Sequence, residues 1–155
     1  MLPADLNEAV GSAASYMSTR ISRRISLTFQ GASEPLPVML CQPLFEWVME
    51  NLIKNAVDAM DGAGSIAVTV GRDARDAWVE VADTGKGIPR NRQKRVFSAG
   101  YTTKKRGWGL GLTLARRIIE QYHRGSIYVK SSSPAGTTFR ITLPLRGMRA
   151  SEAAQ

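Results

Sequence analysis

The sequence predicts one α/β domain. Three observations lead there. Apolar residues recur at helical spacing in three stretches, apolar–polar alternation marks several shorter runs, and neither a repeat nor a linker divides the chain. At 155 residues the chain is long enough for a core of its own.

The elements follow in order. Leu6, Ala9, Val10, Ala13, Ala14 and Met17 share one face of a helix over residues 6–20. Ile25, Leu27 and Phe29 alternate within a strand over 21–30. Pro35 and Pro37 mark a turn, followed by a short strand from Val38 to Leu40. The strongest helix runs from Pro43 to Met60, with Phe45, Val48, Met49, Leu52, Ala56 and Ala59 as its apolar face; Asp61-Gly62-Ala63-Gly64 ends it. Ile66, Val68 and Val70 form a strand that a polar turn at 71–76 joins, as a hairpin, to Trp78–Asp83. Residues 89–108 are basic and glycine-punctuated, without periodicity, and read as a long flexible segment. A further helix spans Gly109 to Tyr122, with Ala115, Ile118, Ile119 and Tyr122 on one face. Ser126–Lys130 and the alternation of Phe139, Ile141 and Leu143 add two strands, and a disordered tail is expected from Arg146.

Composition narrows the function. At 43% hydrophobic and 22% charged, the chain reads as soluble and globular. No apolar run approaches the roughly 18 residues of a membrane span. Met1-Leu2-Pro3-Ala4-Asp5 lacks a signal-peptide pattern, so a cytoplasmic location is expected. Cys41 is the single cysteine and His123 the single histidine, which argues against a disulfide and a zinc site. The net charge of +8 is unevenly spread: ten of the 21 basic residues, and no acid, lie between Thr84 and Ile119. A positive field beside glycine loops suits a phosphate ligand as well as a nucleic acid.

Three motifs carry chemistry. Asp83-Thr84-Gly85-Lys86-Gly87-Ile88-Pro89 ends an apolar strand. The strand would deliver one carboxylate to a cleft, and a turn without Cβ atoms would let a flat ligand approach. Ordinary strand-to-loop turns share this spacing. On the 43–60 helix, Asn51, Asn55 and Asp58 form a polar stripe beside the apolar face. An amide oxygen from Asn55 suits Mg²⁺, which keeps waters and bridges to phosphates; a solvated helix edge is the alternative. Gly107-Trp108-Gly109-Leu110-Gly111-Leu112 opens a helix, where backbone N–H groups favour an anion. Neither a Walker A loop nor G-x-G-x-x-G is present.

Taken in order, these pieces resemble the ATP-binding catalytic domain of sensor histidine kinases, within the Bergerat-fold superfamily. Asn51 to Ala56 is similar to the N box, Asp83 to Pro89 to the G1 box, Val96 to Lys104 to the F box, Gly107 to Leu112 to the G2 box, and Gly136 to Phe139 to the last glycine motif. The resemblance implies a two-layer α/β sandwich, a mixed sheet against about three helices, over residues 1–145, with a tail over 146–155. It also implies a mobile ATP lid over 90–108, with ATP and Mg²⁺ as ligands. Asp83 would accept the adenine amino group, Gly85, Gly87 and Ile88 would flank the ring, and Thr137 would support it through its hydroxyl or a water. Asn55 would ligate Mg²⁺ with Asn51 near the phosphates. Phe97 would anchor the lid, Gly107, Gly109, Leu110, Gly111 and Leu112 would line the triphosphate, and Lys104 would reach it. Asn51, Asn55 and Lys104 are then the expected catalytic positions.

Some positions depart from the family. Asp58 stands where many members carry a basic residue, Trp108 is large for its lid position, and His123, in His123-Arg124-Gly125, reads as structural and not as a phosphoacceptor. Hydrolytic relatives place a Glu four residues before the metal-binding Asn. Here that position is Asn51, an amide that cannot act as a general base, and Glu50 lies about 100° around the helix. The resemblance therefore implies a protein histidine kinase catalytic domain, giving the γ-phosphate of ATP to a histidine on a separate dimerisation domain, with a response regulator as indirect partner. The parent protein could be membrane-anchored and the fragment itself monomeric. A degenerate nucleotide- or partner-binding module and a related Bergerat-fold ATPase are the alternatives. Nucleic acid is disfavoured, because stacking aromatics in the basic stretch are few: Phe97, Tyr101 and Trp108.

Overall fold

Alternation along the strands sets the architecture of the computed structural model, which describes residues 1–98 and 111–147. The elements are β1 (Leu2–Asp5), α1 (Leu6–Ser18), β2 (Ile25–Gln30), β3 (Pro37–Leu40), α2 (Gln42–Ala59), β4 (Gly64–Arg72), β5 (Asp76–Asp83), α3 (Gly111–Arg117), β6 (Ser126–Ser133) and β7 (Gly136–Pro144). Five strands form a mixed sheet in the order β2-β4-β5-β7-β6, in which only β2 and β4 run parallel. On β5 and β7 every second residue is buried: Ala77, Val79 and Val81 on one, Phe139, Ile141 and Leu143 on the other. These side chains meet the three helices in one core, so the fold is a two-layer sandwich. The other sheet face carries Trp78, Glu80 and Arg140. The Arg140 guanidinium lies 4.7 Å over the Trp78 ring and 3.2 Å from Glu80.

β1 is a strand that periodicity did not announce. It pairs antiparallel with β3 as a separate ribbon. Asp5 then caps α1, its Oδ1 accepting the N–H groups of Asn7 (3.0 Å) and Leu36 (2.9 Å). All six apolar residues expected on the inner face of α1 are buried. On α2 the buried face includes Ile53, whereas Ala59, expected there, is only half-buried at the helix end. The chain leaves α2 through Asp61 (φ 49°) and Gly62 (φ 91°).

α3 does not continue as an α-helix to Tyr122. Ile118–Tyr122 is a π-helical turn, closed by His123 N–H to Ile118 O at 3.2 Å. The wider turn rotates Tyr122 off the apolar face expected for it, and it is 56% exposed. His123 is buried. Its Nδ1–H donates to Ile118 O (3.0 Å), and its Nε2 accepts the Cys41 N–H (3.1 Å) that opens α2. Burial holds its pKa below the ordinary value, so the ring is a neutral strut between α3 and α2.

The basic stretch after Pro89 is not structureless where it is described. It forms 3₁₀ turns at Arg90–Arg92 and Arg95–Phe97, and Phe97 packs edge-on against Phe139 at 6.0 Å. Lys104, Gly107, Gly109 and Leu110, with most of the expected lid, lie outside the described residues, as does the tail over 148–155. The Arg146 N–H donates to Pro37 O at 2.8 Å.

Candidate active site

Asp83 occupies the last inward position of β5, in the row of Val79 and Val81, opposite Thr137 of β7. Period-two alternation thus carries a carboxylate into the core layer, where it is 7% exposed. Its Oδ1 accepts the N–H groups of Gly85 (2.8 Å) and Thr137 (3.3 Å). Burial raises its pKa above the usual carboxylate value, against the lowering effect of those two donors.

The glycines beside it answer first to the chain's own backbone. A Cβ at Gly85 would stand 2.5 Å from Ala59 O at the end of α2, where Lys86 N–H also docks at 3.0 Å. Gly87 has φ +81°, and a Cβ there would lie 2.0 Å from Ser133 O. Close packing of the turn therefore excludes a Cβ at both positions, whatever else the turn admits.

The Thr137 hydroxyl lies 2.7 Å from Ser132 Oγ, which accepts the Ile88 N–H at 2.7 Å. Ile88 is partly buried against the core. Ser132 was not singled out in the sequence. The hydroxyl run Ser131-Ser132-Ser133 just before Gly136-Thr137 was the available signal.

The other end of the site lies along α2. Asn51 Nδ2 donates to Trp47 O (3.0 Å), and its Oδ1 sits so close to Gly111 that a Cβ there would lie 2.8 Å from it. Asn55 is half-buried one turn on, and Leu112 packs at the core edge. The Thr113 hydroxyl, also missed, donates to Phe97 O at 2.9 Å and joins α3 to the preceding turn. The polar stripe splits. Asp58, Glu50 and Lys54 line a shallow groove with Tyr16 and Arg20, on the α1 side of the helix. One helix therefore spans the site. Its Ala59 end meets the Asp83 turn, and Asn51, on the order of 12 Å up the axis at 1.5 Å per residue, meets the start of α3. Among the described residues, no group of three or more His, Cys, Asp or Glu could cage a metal.

Residues 42–147 match the family of histidine kinase-, DNA gyrase B- and HSP90-like ATPases. The chain belongs to that family. Its family relatives include sporulation kinase E of Bacillus subtilis (39% identical over 73% of this chain and 15% of the relative) and the sensor histidine kinase ZraS of Escherichia coli K12 (36% over 91% and 30%). The chain spans less than a third of the length of these relatives. In three dimensions it is similar to the catalytic domain of histidine kinase ThkA, with a TM-score of 0.82 and 30% identity, covering 92% of this chain and 94% of that one. ThkA is also known in complex with the response regulator TrrA (TM-score 0.79, 28% identity, 92% and 41% covered). Full-length ShkA in complex with AMPPNP gives a TM-score of 0.81 at 25% identity, covering 92% and 30%. The fold is that of a histidine kinase catalytic domain, and the family's ligand is ATP.

Proposed function

We propose that this domain binds ATP and donates its γ-phosphate to a histidine on a separate dimerisation domain, from which a response regulator takes it. One observation carries this reading: α2 links the Asp83–Thr137 pair, whose turn packs on its Ala59 end, to Asn51 at its middle, which lies against Gly111 at the start of α3, with Asn55 one turn on from Asn51. Asp83 accepts the adenine amino group, flanked by Gly85, Gly87 and Ile88. Asn51, Gly111 and Leu112 face the phosphates, joined by Lys104, Gly107, Gly109 and Leu110 from the glycine-rich segment. Phe97 anchors that segment in the core. The complexes of ShkA with AMPPNP and of ThkA with TrrA support the choice of ligand and partner.

The donor set suits Mg²⁺. Asn55 offers one hard oxygen, and without a carboxylate cage the remaining ligands would come from phosphates and water. A bound Mg²⁺ supplies charge neutralisation on the β- and γ-phosphates. The chain's own residues hold the triphosphate for in-line attack by the histidine nitrogen on the γ-phosphorus, with the ADP oxygen leaving. Neither described neighbour on the helix activates water: Asn51 is an amide, and Glu50 lies in the groove against α1. No helix among the described residues is long and apolar enough to cross a membrane. We place the domain on the cytoplasmic side, where ATP is available, and read it as a monomer when separated from its dimerisation domain.

The test is transfer in trans. With ATP and Mg²⁺ the chain should phosphorylate a purified histidine-bearing dimerisation domain, Asn55→Ala should remove that activity, and the chain alone should turn over little ATP. Robust multiple-turnover hydrolysis without the acceptor domain would overturn the proposal.

A further inference from the structure

We propose that the free edge of β2 is a self-pairing surface, at which two copies of this domain join their sheets antiparallel about a twofold axis at Leu27. The pairing is a property of this chain and does not rest on the nucleotide reading.

The two edges of the sheet differ. At the β6 edge the register shifts between Val129 and Ser131, so a bulge at Lys130 interrupts the ladder. β2 has no such device. It pairs in unbroken register with β4 from Ile25 to Gln30, carries neither charge nor proline, and is exposed at Ser26, Thr28, Phe29 and Gln30. An edge of this kind is a template for another strand.

The ladder decides which backbone groups are open. Arg24 O accepts the Gly64 N–H at 3.2 Å, and a strand turns its groups to the same side at every second residue. Ser26, Thr28 and Gln30 therefore bond to β4, while Ile25, Leu27 and Phe29 turn their N–H and C=O groups outward. Ser22 O takes the Ile25 N–H at 3.0 Å. The Leu27 and Phe29 N–H groups have no partner among the described residues.

Two conditions choose the register. Outward groups must meet outward groups, and the apolar row must stay matched. An axis at Leu27 meets both. Leu27 exchanges a pair of N–H···O bonds with Leu27 of the second copy, and the Phe29 N–H donates to Ile25 O on each side. Phe29, which is 40% exposed, gains Ile25 of the second copy as its cross-strand neighbour. Ser26 lies opposite Thr28 on the other sheet face. Moving the axis to Thr28 would set Ile25 against Gly31, which has no side chain.

Charge fits the same arrangement. Arg23 and Arg24, both exposed, precede the strand, and the exposed Glu34 follows it. Antiparallel pairing carries the arginines of each copy toward Glu34 of the other, so the edge is complementary to itself, as a closed twofold contact requires. An edge of 6 residues gives a weak contact. The separate chain therefore stays monomeric when dilute. On the reading above, two catalytic domains tethered to one dimerised parent would meet at millimolar effective concentration, where the edges pair.

The experiment is sedimentation equilibrium of the chain from about 10 µM to about 1 mM, with thermal unfolding of each protein. The proteins are the wild type, Ser26→Lys/Thr28→Lys, Ser26→Lys/Thr28→Glu and, on the other edge, Ser131→Lys. The wild type should be monomeric at the dilute end and shift toward the dimer at the concentrated end. The double lysine variant sets like charges opposite each other and should associate about three- to tenfold more weakly; the lysine–glutamate variant sets unlike charges opposite and should associate at least as tightly as the wild type. Ser131→Lys should change nothing. In the wild type, amide exchange at Leu27 and Phe29 should slow between the two concentrations, a readout that needs no variant. No association up to about 1 mM would overturn the proposal and leave the edge to a strand of another protein. Unchanged exchange at Leu27 and Phe29, or association that the two double variants alter alike, would overturn it as well, as would weakening by Ser131→Lys.

Discussion

Replacing Asp83 with Asn separates the cost of burying a charge from its use. In the folded protein Oδ1 accepts two backbone N–H groups, from Gly85 and Thr137. An amide oxygen can accept the same two, so the turn keeps both bonds. What changes is the other carboxylate oxygen, which becomes an NH₂ group. Burial raises the pKa of Asp83 in the fold. Between its ordinary value of 3.8 and that raised value the native state holds a proton that the unfolded chain releases. Asp83 therefore opposes folding at neutral pH, and the penalty is relieved as pH falls through the folded pKa. Asp83→Asn should be at least as stable as the wild type at pH 7, within about 0.5 kcal/mol, and should lack that part of the pH slope. Binding should suffer, because the NH₂ group would face the ligand's amino group and leave a buried donor unpaired. At about 2–3 kcal/mol for such a mismatch, affinity for a non-hydrolysable ATP analogue should fall about 30- to 150-fold. Calorimetric titration and thermal melts at pH 5 and 7 measure both quantities. Binding within threefold of the wild type, or clear destabilisation at pH 7, would refute the reasoning.

Three further perturbations have defined outcomes. Gly87→Ala forces a left-handed φ on a residue with a Cβ and drives that Cβ against Ser133 O; urea unfolding should show a loss of about 2–4 kcal/mol. Phe97→Ala removes the edge-on partner of Phe139 and should cost about 3–5 kcal/mol in the same assay. His123 has a folded pKa below its ordinary 6.5, so its contribution is fully present above pH 6.5 and is lost as pH falls from there toward the folded pKa. Melting temperature measured from pH 7.5 to 5 should decline on that limb in the wild type and be flatter in His123→Phe.

Much of this molecule was legible because its signals are periodic. The inner face of α1 and the alternation on β5 and β7 are written in residue spacing, and burial follows it residue by residue. Asp83 was legible for the same reason, since a lone acid at the end of an apolar run has one place to go. What escaped has no period. β1 is a four-residue strand held by β3, a partner far away in sequence. Tyr122 left its predicted face because a π turn breaks the helical count. Ser132 reaches the site through a bulge, and an inserted residue is invisible to any rule that counts by two. For the glycines of the Asp83 turn the structure adds a packing reason that the sequence could not show, since a sequence shows that a Cβ is missing but not what would have struck it.

The pairing of β5 with β7 also bears on how the domain assembles. β4 with β5, and β6 with β7, are hairpins that short turns can close early. Joining them requires Asp83 to find Thr137 across most of the intervening chain, the kind of distant pairing that is slow to form. The proposed adenine pocket lies at the Asp83–Thr137 end of that seam. A nucleotide bound there would recognise a junction that exists only once both halves of the sheet have met, and its binding energy would be added to the β5–β7 pairing, the most distant in the sheet. On the proposed reading the ligand would act as a late clasp: it would leave the early hairpins untouched and slow the parting of the seam.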